Sequence, residues 1–493
     1  MALTLYNTLT KQPQPFIPIL PGQVSIYCCG VTVYDDCHLG HGRSYLTWDV
    51  LRRYLQWQGY GVRYVQNFTD IDDKILHRAQ AEGTTMAAVS DRYIQHYFED
   101  MRRLNILDAQ VYPRVTEHIE DIHALIRQLE AKGYAYAAGG DVYYRVAQFA
   151  EYGQLSGRSL EGMQVGASGR ALVATAKANP ADFVLWKGAK PGEPAWDSPW
   201  GPGRPGWHIE CSAMIRSQLG LTIDIHGGGG DLVFPHHDNE IAQSQAAHGQ
   251  PLARYWLHNG MVTVGGEKMS KSLGNFTTLR DLLGGRWAPY PQPVEPMAVR
   301  LFVLQGHYRK PLDFTATAIA TAVQGWHTLK AGLQFGDRHG KTLGWASLQP
   351  PVTLSPTEEN TWVQAFQRAL DHDLNTSEGL AVLFDLAKGL QREGNRLLHE
   401  GKTQVEPDHL WHQWQTLVGL GQVLGLEAKE KGDRPVEAPP LVDDSAIAEL
   451  IQQRQQARQQ RDFATADRIR DRLAGVGVVV VDQPHGAVRW HRP

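Results

Sequence analysis

The alternation of apolar and polar residues near the start of the chain predicts a strand, a helix and a second strand. Val24–Gly30 (VSIYCCG) is short, apolar and closed by a glycine, which is typical of a buried strand. Apolar residues then recur at helical spacing from Leu46 to Tyr54, and a second apolar run follows at Val62–Asn67. A strand, a helix and a strand in this order predict a parallel sheet that binds ligands at the carboxyl ends of its strands.

Further along, the pattern changes several times. Residues 85–135 have a helical pattern, whereas 140–207 are rich in Gly, Pro and Trp and contain two short strand-like pieces, DVYYRV and FVLWK. Strand and helix patterns return at LTIDIHGGG and DNEIAQSQAAHG. The first domain is therefore predicted to be split by an inserted lobe at about 115–205.

The second half of the chain is predicted to be mainly helical. Long helical patterns without a strand run from about 313 to 427, which indicates a bundle. A charged, proline-rich linker at 428–444 follows, and two short helical patterns and the pieces VGVVVV and AVRW end the chain. The predicted organisation is an α/β domain over 1–312, a helical bundle over 313–427, the linker, and a small α/β domain over 445–493.

The composition is that of an ordinary globular protein. Hydrophobic residues make up 42% of the chain and charged residues 20%. No apolar stretch reaches the roughly 18 residues of a membrane helix, and the first residues lack the pattern of a secretion signal. We therefore expect a cytoplasmic protein with no membrane partner.

Four cysteines are too few for a disulfide framework in 493 residues. Cys28, Cys29 and Cys37 lie close together beside a histidine-rich turn, and Cys211 lies far along the chain. In a reducing compartment such clustering favours metal binding or catalysis. The alternative is that each thiol is a small buried apolar group.

Charge is unevenly distributed along the chain. The net charge is −4, yet residues 446–493 contain eight arginines against five acidic residues. A basic tail on an acidic body can contact a phosphate backbone. The alternative is a solvated helix face.

Two short motifs have the chemistry of a nucleotide site. The first, His38-Leu39-Gly40-His41, lies at the turn between the first strand and its helix, where imidazoles can donate hydrogen bonds to an α-phosphate. The second, Lys268-Met269-Ser270-Lys271-Ser272, lies in a loop whose lysines can neutralise a leaving pyrophosphate. Each motif alone also occurs by chance.

Together, and with a strand before the first, the two motifs resemble the signatures of class I aminoacyl-tRNA synthetases, with Leu39 in place of an isoleucine. The resemblance implies a Rossmann-like parallel-sheet catalytic domain split by a connective insertion, with a mobile loop at about 261–275. It implies catalytic roles for His38, His41, Lys268 and Lys271. It also implies an ATP site made by these four residues with Gly40, Ser270 and Ser272.

Three distant segments supply possible metal ligands. Cys29 ends the first strand, Cys211 lies in WHIECS, and His236 and Glu240 are spaced so that both can project from one face of a helix. Two thiolates, an imidazole and a carboxylate are compatible with tetrahedral zinc. The spacing alone is not specific, because a histidine at a helix start is more often a cap or a core contact.

Longer segments resemble the cysteinyl-tRNA synthetase family across nearly the whole chain. They are, in order, YCCGVTVYDDCHLGHGR, FTDIDDKI, GRPGWHIECSAM, DIHGGGGDLVFPHHDNEIAQS and EKMSKSLGNF. The resemblance implies one zinc ion per chain, bound by the four residues just named, while Cys28 packs beside the site and His237 and Asp238 are not ligands. It also implies ATP with Mg²⁺, L-cysteine and tRNA(Cys) as partners, a cysteinyl-adenylate intermediate, and a monomer.

Zinc suits this substrate because shape separates cysteine poorly from serine. A methylene-sized difference discriminates by only about 1–3 kcal/mol, whereas zinc binds a thiolate readily and a serine hydroxyl poorly. We therefore expect the substrate sulfur to bind the metal, and we expect no editing domain.

Further pocket roles follow from the resemblance. Trp207 is expected to form a wall of the side-chain pocket, Thr32 and Asp231 to hold the substrate ammonium group, and His226 to lie near the adenylate. The alternatives are a plain core position for Trp207 and a turn or helix-capping role for Asp231.

The end of the chain resembles the small domain with which this family reads the anticodon. Guanidinium groups can read guanine edges, carboxylates can accept from cytosine amino groups, and an aromatic ring can stack on an unpaired base. The family's anticodon contacts fall on Arg458, Phe463, Asp467, Arg470 and Asp482. Tryptophan is common in the family at the Phe463 position, and phenylalanine offers a smaller stacking face.

Three alternative functions predict different sequences. The cysteine–sugar ligase of mycothiol synthesis resembles the same catalytic domain but lacks an anticodon-reading tail. A non-catalytic RNA-binding paralogue has no use for pyrophosphate-neutralising lysines. Another class I specificity, such as methionine, does not explain two cysteines, a histidine and a glutamate occurring together.

Overall fold

Strands and helices alternate through the first half of the chain in the computed structural model. The structure describes residues 2–159, 177–269, 273, 275–345, 354–356, 359–428, 444–459, 462, 466, 469–470, 473, 479–482 and 488–491. Contacts divide the chain into two units, Met1–Glu427 and Ala428–Pro493. The strands described in the first unit are β1 (Thr4–Asn7), β2 (Gln12–Pro15), β3 (Gln23–Cys28), β4 (Gly61–Gln66), β5 (Ala135–Ala138), β6 (Asp141–Tyr144), β7 (Phe183–Gly188), β8 (Gly203–Pro205), β9 (Ile223–Gly229), β10 (Ala253–Asn259), β11 (Val262–Val264), β12 (Glu267–Lys268) and β13 (Leu312–Asp313). The helices described in it are α1 (Leu39–Trp57), α2 (Asp73–Glu82), α3 (Met86–Arg103), α4 (Ile119–Ala131), α5 (Trp207–Leu219), α6 (Asp238–His248), α7 (Leu279–Leu283), α8 (Pro296–Leu304), α9 (Ala316–Leu333), α10 (Phe335–His339), α11 (Thr361–Asp371), α12 (Thr376–Glu400) and α13 (Pro407–Val423).

A four-stranded parallel sheet lies at the centre of the first unit, in the order β10–β9–β3–β4. In β3, Tyr27 pairs with Val65 on one side and with His226 on the other. Because the strands run in the same direction, the residues that end them, from Cys28 to Asn259, lie along one edge of the sheet. The predicted parallel sheet is confirmed.

Helix α1 packs against this sheet with the apolar residues that predicted it. Leu46, Leu51 and Tyr54 are fully buried. The indole of Trp48 lies against Gly227 in β9, where a Cβ would come within 3.1 Å of the ring. The glycine therefore allows close contact. Because α1 follows β3, its first turn lies at the carboxyl edge of the sheet.

The inserted lobe contains a second sheet, which is antiparallel and has the order β5–β6–β7–β8. Strands β6 and β7 lie on the predicted pieces DVYYRV and FVLWK. The helical pattern predicted for 85–135 is confirmed in α3 and α4, but an irregular segment separates the two helices. That segment includes Asn105, whose φ of 57° is left-handed, and Pro113, so the helix does not continue.

Helices α9 to α13 form the predicted bundle, and their apolar faces are buried against one another. Trp326, Phe366, Leu390 and Leu417 are among the residues in this core. Among the described residues, none of the helices combines the length and apolar character that a bilayer-spanning segment needs.

The second unit contains helix α14 (Asp444–Gln459) and an antiparallel pair of strands, β14 (Val479–Asp482) and β15 (Val488–His491). The two strands lie on the predicted pieces VGVVVV and AVRW. The predicted linker at 428–444 lies almost entirely outside the described residues.

Candidate active site

A cleft of about 340 Å³ opens at the carboxyl edge of the central parallel sheet. This is the edge at which parallel sheets bind ligands. Seven of the site residues predicted from the sequence line the cleft, and they come from four separate segments of the chain. They are Cys29, Thr32, His38, Gly40, His41, Trp207 and Asp231.

The two histidines of the first motif cap helix α1 reciprocally. The Nδ1 atom of His38 accepts a hydrogen bond from the backbone N–H of His41 (3.3 Å), and Nδ1 of His41 accepts one from the backbone N–H of His38 (3.4 Å). The two rings stack with centroids 3.7 Å apart. Since each Nδ1 is an acceptor, a neutral ring must bear its proton on Nε2. Both imidazoles are therefore arranged as Nε2–H donors.

His41 is held in the neutral form. Burial lowers the pKa of its imidazole well below the usual value, and the nearby His38 and Lys74 lower the pKa further. A neutral imidazole at a helix N-terminus can donate a hydrogen bond to a phosphate oxygen without losing a proton to it.

The second motif is anchored at both ends near the first. On the N-terminal side, Lys268 lies in β12 and pairs with Thr263 in β11. On the C-terminal side, the backbone N–H of Leu279 donates to the carbonyl of Cys37 (2.8 Å), next to His38. The side chain of Lys268, and all of Ser270, Lys271 and Ser272, lie outside the described residues.

The four predicted metal ligands come together beneath the cleft. Cys29 follows β3, Cys211 lies in α5, His236 lies in a helical turn at Val233–His237, and Glu240 lies in α6. Their ligand atoms are all within 4.8 Å of one another. The Sγ atoms are 3.8 Å apart, Glu240 Oε1 is 3.6 Å from the sulfur of Cys29, and it is 3.1 Å from Nε2 of His236.

These separations can be compared with a tetrahedral zinc site. Zn–S bonds of about 2.3 Å and Zn–N or Zn–O bonds of about 2.0–2.1 Å give ligand-to-ligand distances of about 3.3–3.8 Å. Two of the three separations given above, 3.8 and 3.6 Å, lie within that range, and the third, 3.1 Å, is about 0.2 Å below it. Two sulfurs, a nitrogen and an oxygen in this arrangement fit a zinc ion.

A second group of possible ligands overlaps the first. Cys29 and Glu240 also lie within 4.8 Å of the ring nitrogens of His226 and His237. The Nε2 atom of His226 is 2.8 Å from Oε2 of Glu240, and its Nδ1 atom is buried without a partner in the described part of the chain. The ring proton is therefore best placed on Nε2, where it is donated to Glu240. Oε1 of Glu240 therefore remains available to the first group of ligands, which contains Cys29 and Cys211.

His226 was expected near the adenylate, and that stays a prediction. Its ring is fully buried in β9 and stacks on Trp256 with ring centroids 4.5 Å apart. The contact with Glu240 was not predicted, because β9 is buried on both faces and its pattern does not indicate which way a side chain points.

Charge is partly balanced within the ligand group. Burial lowers the pKa of the His236 imidazole, but Glu240 and Cys211 outweigh burial and raise that pKa to about 10. A hydrogen bond from Cys29 lowers the pKa of the Cys211 thiol, while burial and Cys211 raise the pKa of Cys29. Without a metal, protons on His236 and Cys29 therefore hold the anions together, and a divalent cation would replace them.

The cleft-facing side of the ligand group is an aromatic wall. Trp207 begins α5 and is 42% exposed, and its indole stacks on the ring of His236 with centroids 4.4 Å apart. Asp231 lies in the turn after β9, and a Cβ at Gly229 would come within 2.5 Å of its carboxylate. Thr32 forms a bridge with Thr69 on the opposite side.

Several residues that line the cleft were not predicted. The ammonium of Lys74, in the first turn of α2, lies over the Tyr34 ring at 5.3 Å, and the ring of Phe276 meets His38 edge-on at 5.4 Å. Asn259, which ends β10, also lines the cleft. Only its position at the end of a parallel strand could have indicated this.

Two of the five predicted anticodon residues have described side chains. Arg458 lies in α14 and is exposed, and Arg470 is exposed as well. Asp482 lies in β14, but its side chain is outside the described residues, as are Phe463 and Asp467.

Three family models match successive parts of the chain. They are tRNA synthetases class I (C) catalytic domain at residues 15–324, DALR domain at 365–429, and Cysteinyl-tRNA ligase anticodon binding domain at 444–490. The match to a cysteinyl-tRNA ligase anticodon binding domain disfavours the cysteine–sugar ligase, which lacks such a tail.

The fold is shared with solved synthetases at low sequence identity. The crystal structure of Mycobacterium tuberculosis methionyl-tRNA synthetase bound by methionyl-adenylate superposes with a TM-score of 0.55 and 17% identity, over 90% of this chain and 96% of that one. The ternary complex of Agrobacterium radiobacter K84 agnB2 LeuRS, tRNA and LeuAMS has a TM-score of 0.57 and 12% identity, over 83% and 85%.

Full-length relatives are much closer in sequence. The proteins named "Cysteine--tRNA ligase" from Nostoc sp. (strain PCC 7120 / SAG 25.82 / UTEX 2576) and Trichormus variabilis (strain ATCC 29413 / PCC 7937) are each 62% identical over 495 residues, covering 100% of both chains. Identity at this level along the whole length, together with the catalytic-domain model, shows the family. The chain belongs to the cysteine–tRNA ligases, a family of class I aminoacyl-tRNA synthetases.

Proposed function

We propose that this chain uses ATP to form cysteinyl-adenylate from L-cysteine, and then transfers the cysteine to the terminal ribose of tRNA(Cys). The observation that carries this proposal is the position of the group Cys29, Cys211, His236 and Glu240 beneath the cleft that the His38 and His41 rings also line. Amino-acid selection and nucleotide activation then share one cavity.

Cys29, Cys211, His236 and Glu240 would hold one zinc ion. Bound there, zinc would favour the substrate thiolate over a hydroxyl, which separates cysteine from serine. His226 has a positioning role in this proposal, because it occupies Oε2 of Glu240 and leaves Oε1 for the metal. Such outer partners commonly orient ligands in metal sites.

The remaining pocket residues orient the substrate. Trp207 covers His236 on the cleft side and would limit the space for the amino-acid side chain. Thr32 and Asp231 line the same cleft and would receive the ammonium group, since a hydroxyl and a carboxylate can both accept its protons.

The nucleotide would bind on the other side of the cleft. The Nε2–H groups of His38 and His41 would donate to the α-phosphate, next to Gly40. Lys268 and Lys271, with Mg²⁺, would neutralise the pyrophosphate as it leaves, and Ser270 and Ser272 would contact the nucleotide. Neither chemical step needs a covalent enzyme intermediate, so positioning and electrostatics supply the rate.

We propose that the second unit reads the anticodon with the five residues predicted from the sequence. Arg470→Ala should weaken aminoacylation of tRNA by about 1–3 kcal/mol, the scale of one lost base contact, and leave cysteine-dependent ATP–pyrophosphate exchange unchanged. A matched variant, Arg489→Ala, should affect neither reaction. Equal loss of exchange and aminoacylation would contradict the proposed role.

The decisive experiment for the activity is ATP–pyrophosphate exchange with cysteine, serine or methionine, with and without a zinc chelator. We expect exchange with cysteine alone, and we expect chelation to abolish it. Exchange that persists after complete zinc removal, with serine still rejected, would contradict zinc-based recognition. Exchange with methionine but not cysteine would contradict the substrate assignment.

A further inference from the structure

Two residues after His41, helix α1 carries a buried arginine that the motifs do not explain. Arg43 is 1% exposed and forms no ion pair within the described part of the chain. Its guanidinium donates to three backbone carbonyls instead. Nη1 donates to Met261 (2.9 Å), and Nη2 donates to Tyr308 (3.0 Å) and to Lys310.

The three carbonyls surround the base of the hairpin that carries the second motif. Met261 precedes β11, which pairs with β12 and thus with Lys268. Lys310 precedes β13, which pairs with β11 on the other side. The two segments approach closely at Gly260, where a Cβ would come within 2.4 Å of the Lys310 carbonyl. Arg43 therefore joins helix α1 to the starts of both strands.

The chemistry of this contact is specific to arginine. A buried cation without a carboxylate is costly unless its donors are paired. Both Nη atoms of Arg43 are paired, while its buried Nε has no partner in the described part of the chain. Burial lowers the pKa of Arg43 to about 10, so it remains charged at neutral pH. Its planar fork can serve carbonyls from separate segments at once, whereas a lysine has a single donor atom. Removing the guanidinium would leave the carbonyls of Met261, Tyr308 and Lys310 without this donor.

We propose that Arg43 is a positioning residue that fixes the β11–β12 hairpin, at whose end Lys268 lies, relative to the His38 and His41 rings. Met261 and Val262 line the cleft together with the two histidines, so a shift of this hairpin changes the space for the nucleotide. The inference rests on the proposed adenylate-forming activity, and it adds a residue that holds the two halves of the nucleotide site at a set separation.

Arg300 is a matched control. It is fully buried in α8 and also donates to three carbonyls, those of Leu424 (2.7 Å), Leu104 (2.9 Å) and Asn105 (3.1 Å). It additionally pairs with Asp49, which lies further along helix α1. Both arginines anchor α1, but only Arg43 contacts the hairpin.

The experiment compares Arg43→Met and Arg43→Lys with Arg300→Met and Arg300→Lys in the full chain. The measurements are zinc content, melting temperature, and kcat and KM in cysteine-dependent ATP–pyrophosphate exchange. A misplacement of about 1 Å can cost about 100-fold in rate. We expect Arg43→Met to lower kcat by about that factor, Arg43→Lys to recover part of it, and KM for cysteine to stay within about two-fold.

The Arg300 variants should lower the melting temperature at least as much as the Arg43 variants. Their kcat should stay within about three-fold of the wild type, because they do not move the hairpin. Equal loss of kcat in both series, or wild-type kcat in Arg43→Met, would overturn the inference. If the methionine variants do not fold, the kcat values of Arg43→Lys and Arg300→Lys are compared in the same way. A wild-type protein without cysteine-dependent exchange would contradict the proposed function itself, whatever the Arg43 and Arg300 variants do.

Discussion

The two sides of the cleft are built in different ways. On the proposed amino-acid side, Cys29, Cys211, His236 and Glu240 are at most 7% exposed, and His236 partly balances the negative charge of Cys211 and Glu240. On the proposed nucleotide side, the His38 and His41 rings are partly exposed, and the described segments that flank the second motif, β12 and α7, are anchored to other segments of the chain. The proposed amino-acid site is thus fixed by burial, whereas the proposed nucleotide site depends on anchors between distant segments.

This difference has a chemical reason. A metal site tolerates little change in ligand distance, and burial of its ligands keeps them in place. A nucleotide must enter and pyrophosphate must leave, so part of its site has to open. Substitutions on the amino-acid side should therefore weaken the binding of zinc and of cysteine together. Those on the nucleotide side should lower only the rate of exchange.

The largest effect is expected from loss of a metal ligand. Cys211→Ala should remove zinc and reduce cysteine-dependent exchange by about 10⁴- to 10⁵-fold, the scale at which a site built to bind a polar group discriminates. Zinc content and exchange are measured on the same preparation. Cys28→Ala is the control, because Cys28 is equally buried but its sulfur lies outside the ligand group. Full zinc loading with normal exchange in Cys211→Ala would refute the site.

The second-largest effect is expected for His41, where two substitutions separate the roles of the Nδ1 and Nε2 atoms. An asparagine side chain can replace the Nδ1 acceptor that caps the helix, and a glutamine side chain can extend an N–H toward the Nε2 position. His41→Asn should lower kcat of exchange by about 10²- to 10³-fold, as does loss of one transition-state donor. His41→Gln should retain more activity. Higher activity in His41→Asn would show that the cap, not the donor, matters.

A smaller effect is expected for His226, and it tests the contact with Glu240 that the sequence did not predict. His226→Leu removes the donor to Glu240 and should weaken zinc binding by about 10- to 100-fold, as loss of an outer partner does. Competition with a chelator measures this change. His226→Gln, which can still donate, should bind zinc more tightly than His226→Leu. A raised KM for ATP with unchanged zinc affinity would favour the original nucleotide role.

The fold and much of the site follow from local sequence patterns. The parallel sheet and α1 were predictable because β3 is apolar and α1 shows its buried face at helical spacing. The approach of Cys29 and Cys211 followed from segments that resemble a known family. In each case the informative pattern lies within a short segment of the sequence, and for the two cysteines the resemblance connects two such segments.

The remaining features depend on contacts between segments that are far apart in sequence. His226 lies in a strand that is buried on both faces, so no alternation indicates its direction. Arg43 binds only backbone carbonyls, and such partners leave no mark in the sequence. The contact between His237 Nδ1 and His258 Nε2, at 2.8 Å, is equally invisible before folding. Tertiary packing alone determines these positions.

The smallest effect is expected for Asp100, a buried carboxyl group near the nucleotide side whose charge its neighbours do not fully balance. Asp100 in α3 is 1% exposed, and neither carboxylate oxygen has a hydrogen-bond partner among the described residues. Arg280 lies 3.3 Å away, and Asp36 and His96 are also near. Burial outweighs Arg280, and it raises the pKa of Asp100 to about 6. In the ligand group, burial also raises the pKa of Glu240, but the imidazoles of His226 and His236, at 2.8 and 3.1 Å, outweigh burial and hold that pKa well below its usual value.

The sign of its pH dependence follows from that pKa. A carboxyl whose folded pKa exceeds its unfolded value of about 3.9 favours folding when protonated, and stability is lost as pH rises through 6. The wild type should therefore lose about 1 kcal/mol relative to Asp100→Asn between pH 5 and pH 7.5. Denaturant unfolding at the two pH values measures this difference, with Asp91→Asn, at an exposed position of the same helix, as the control. A difference that does not change with pH would mean that Arg280 balances Asp100 as fully as His236 balances Glu240, and the contrast between the two sides would then rest on exposure alone.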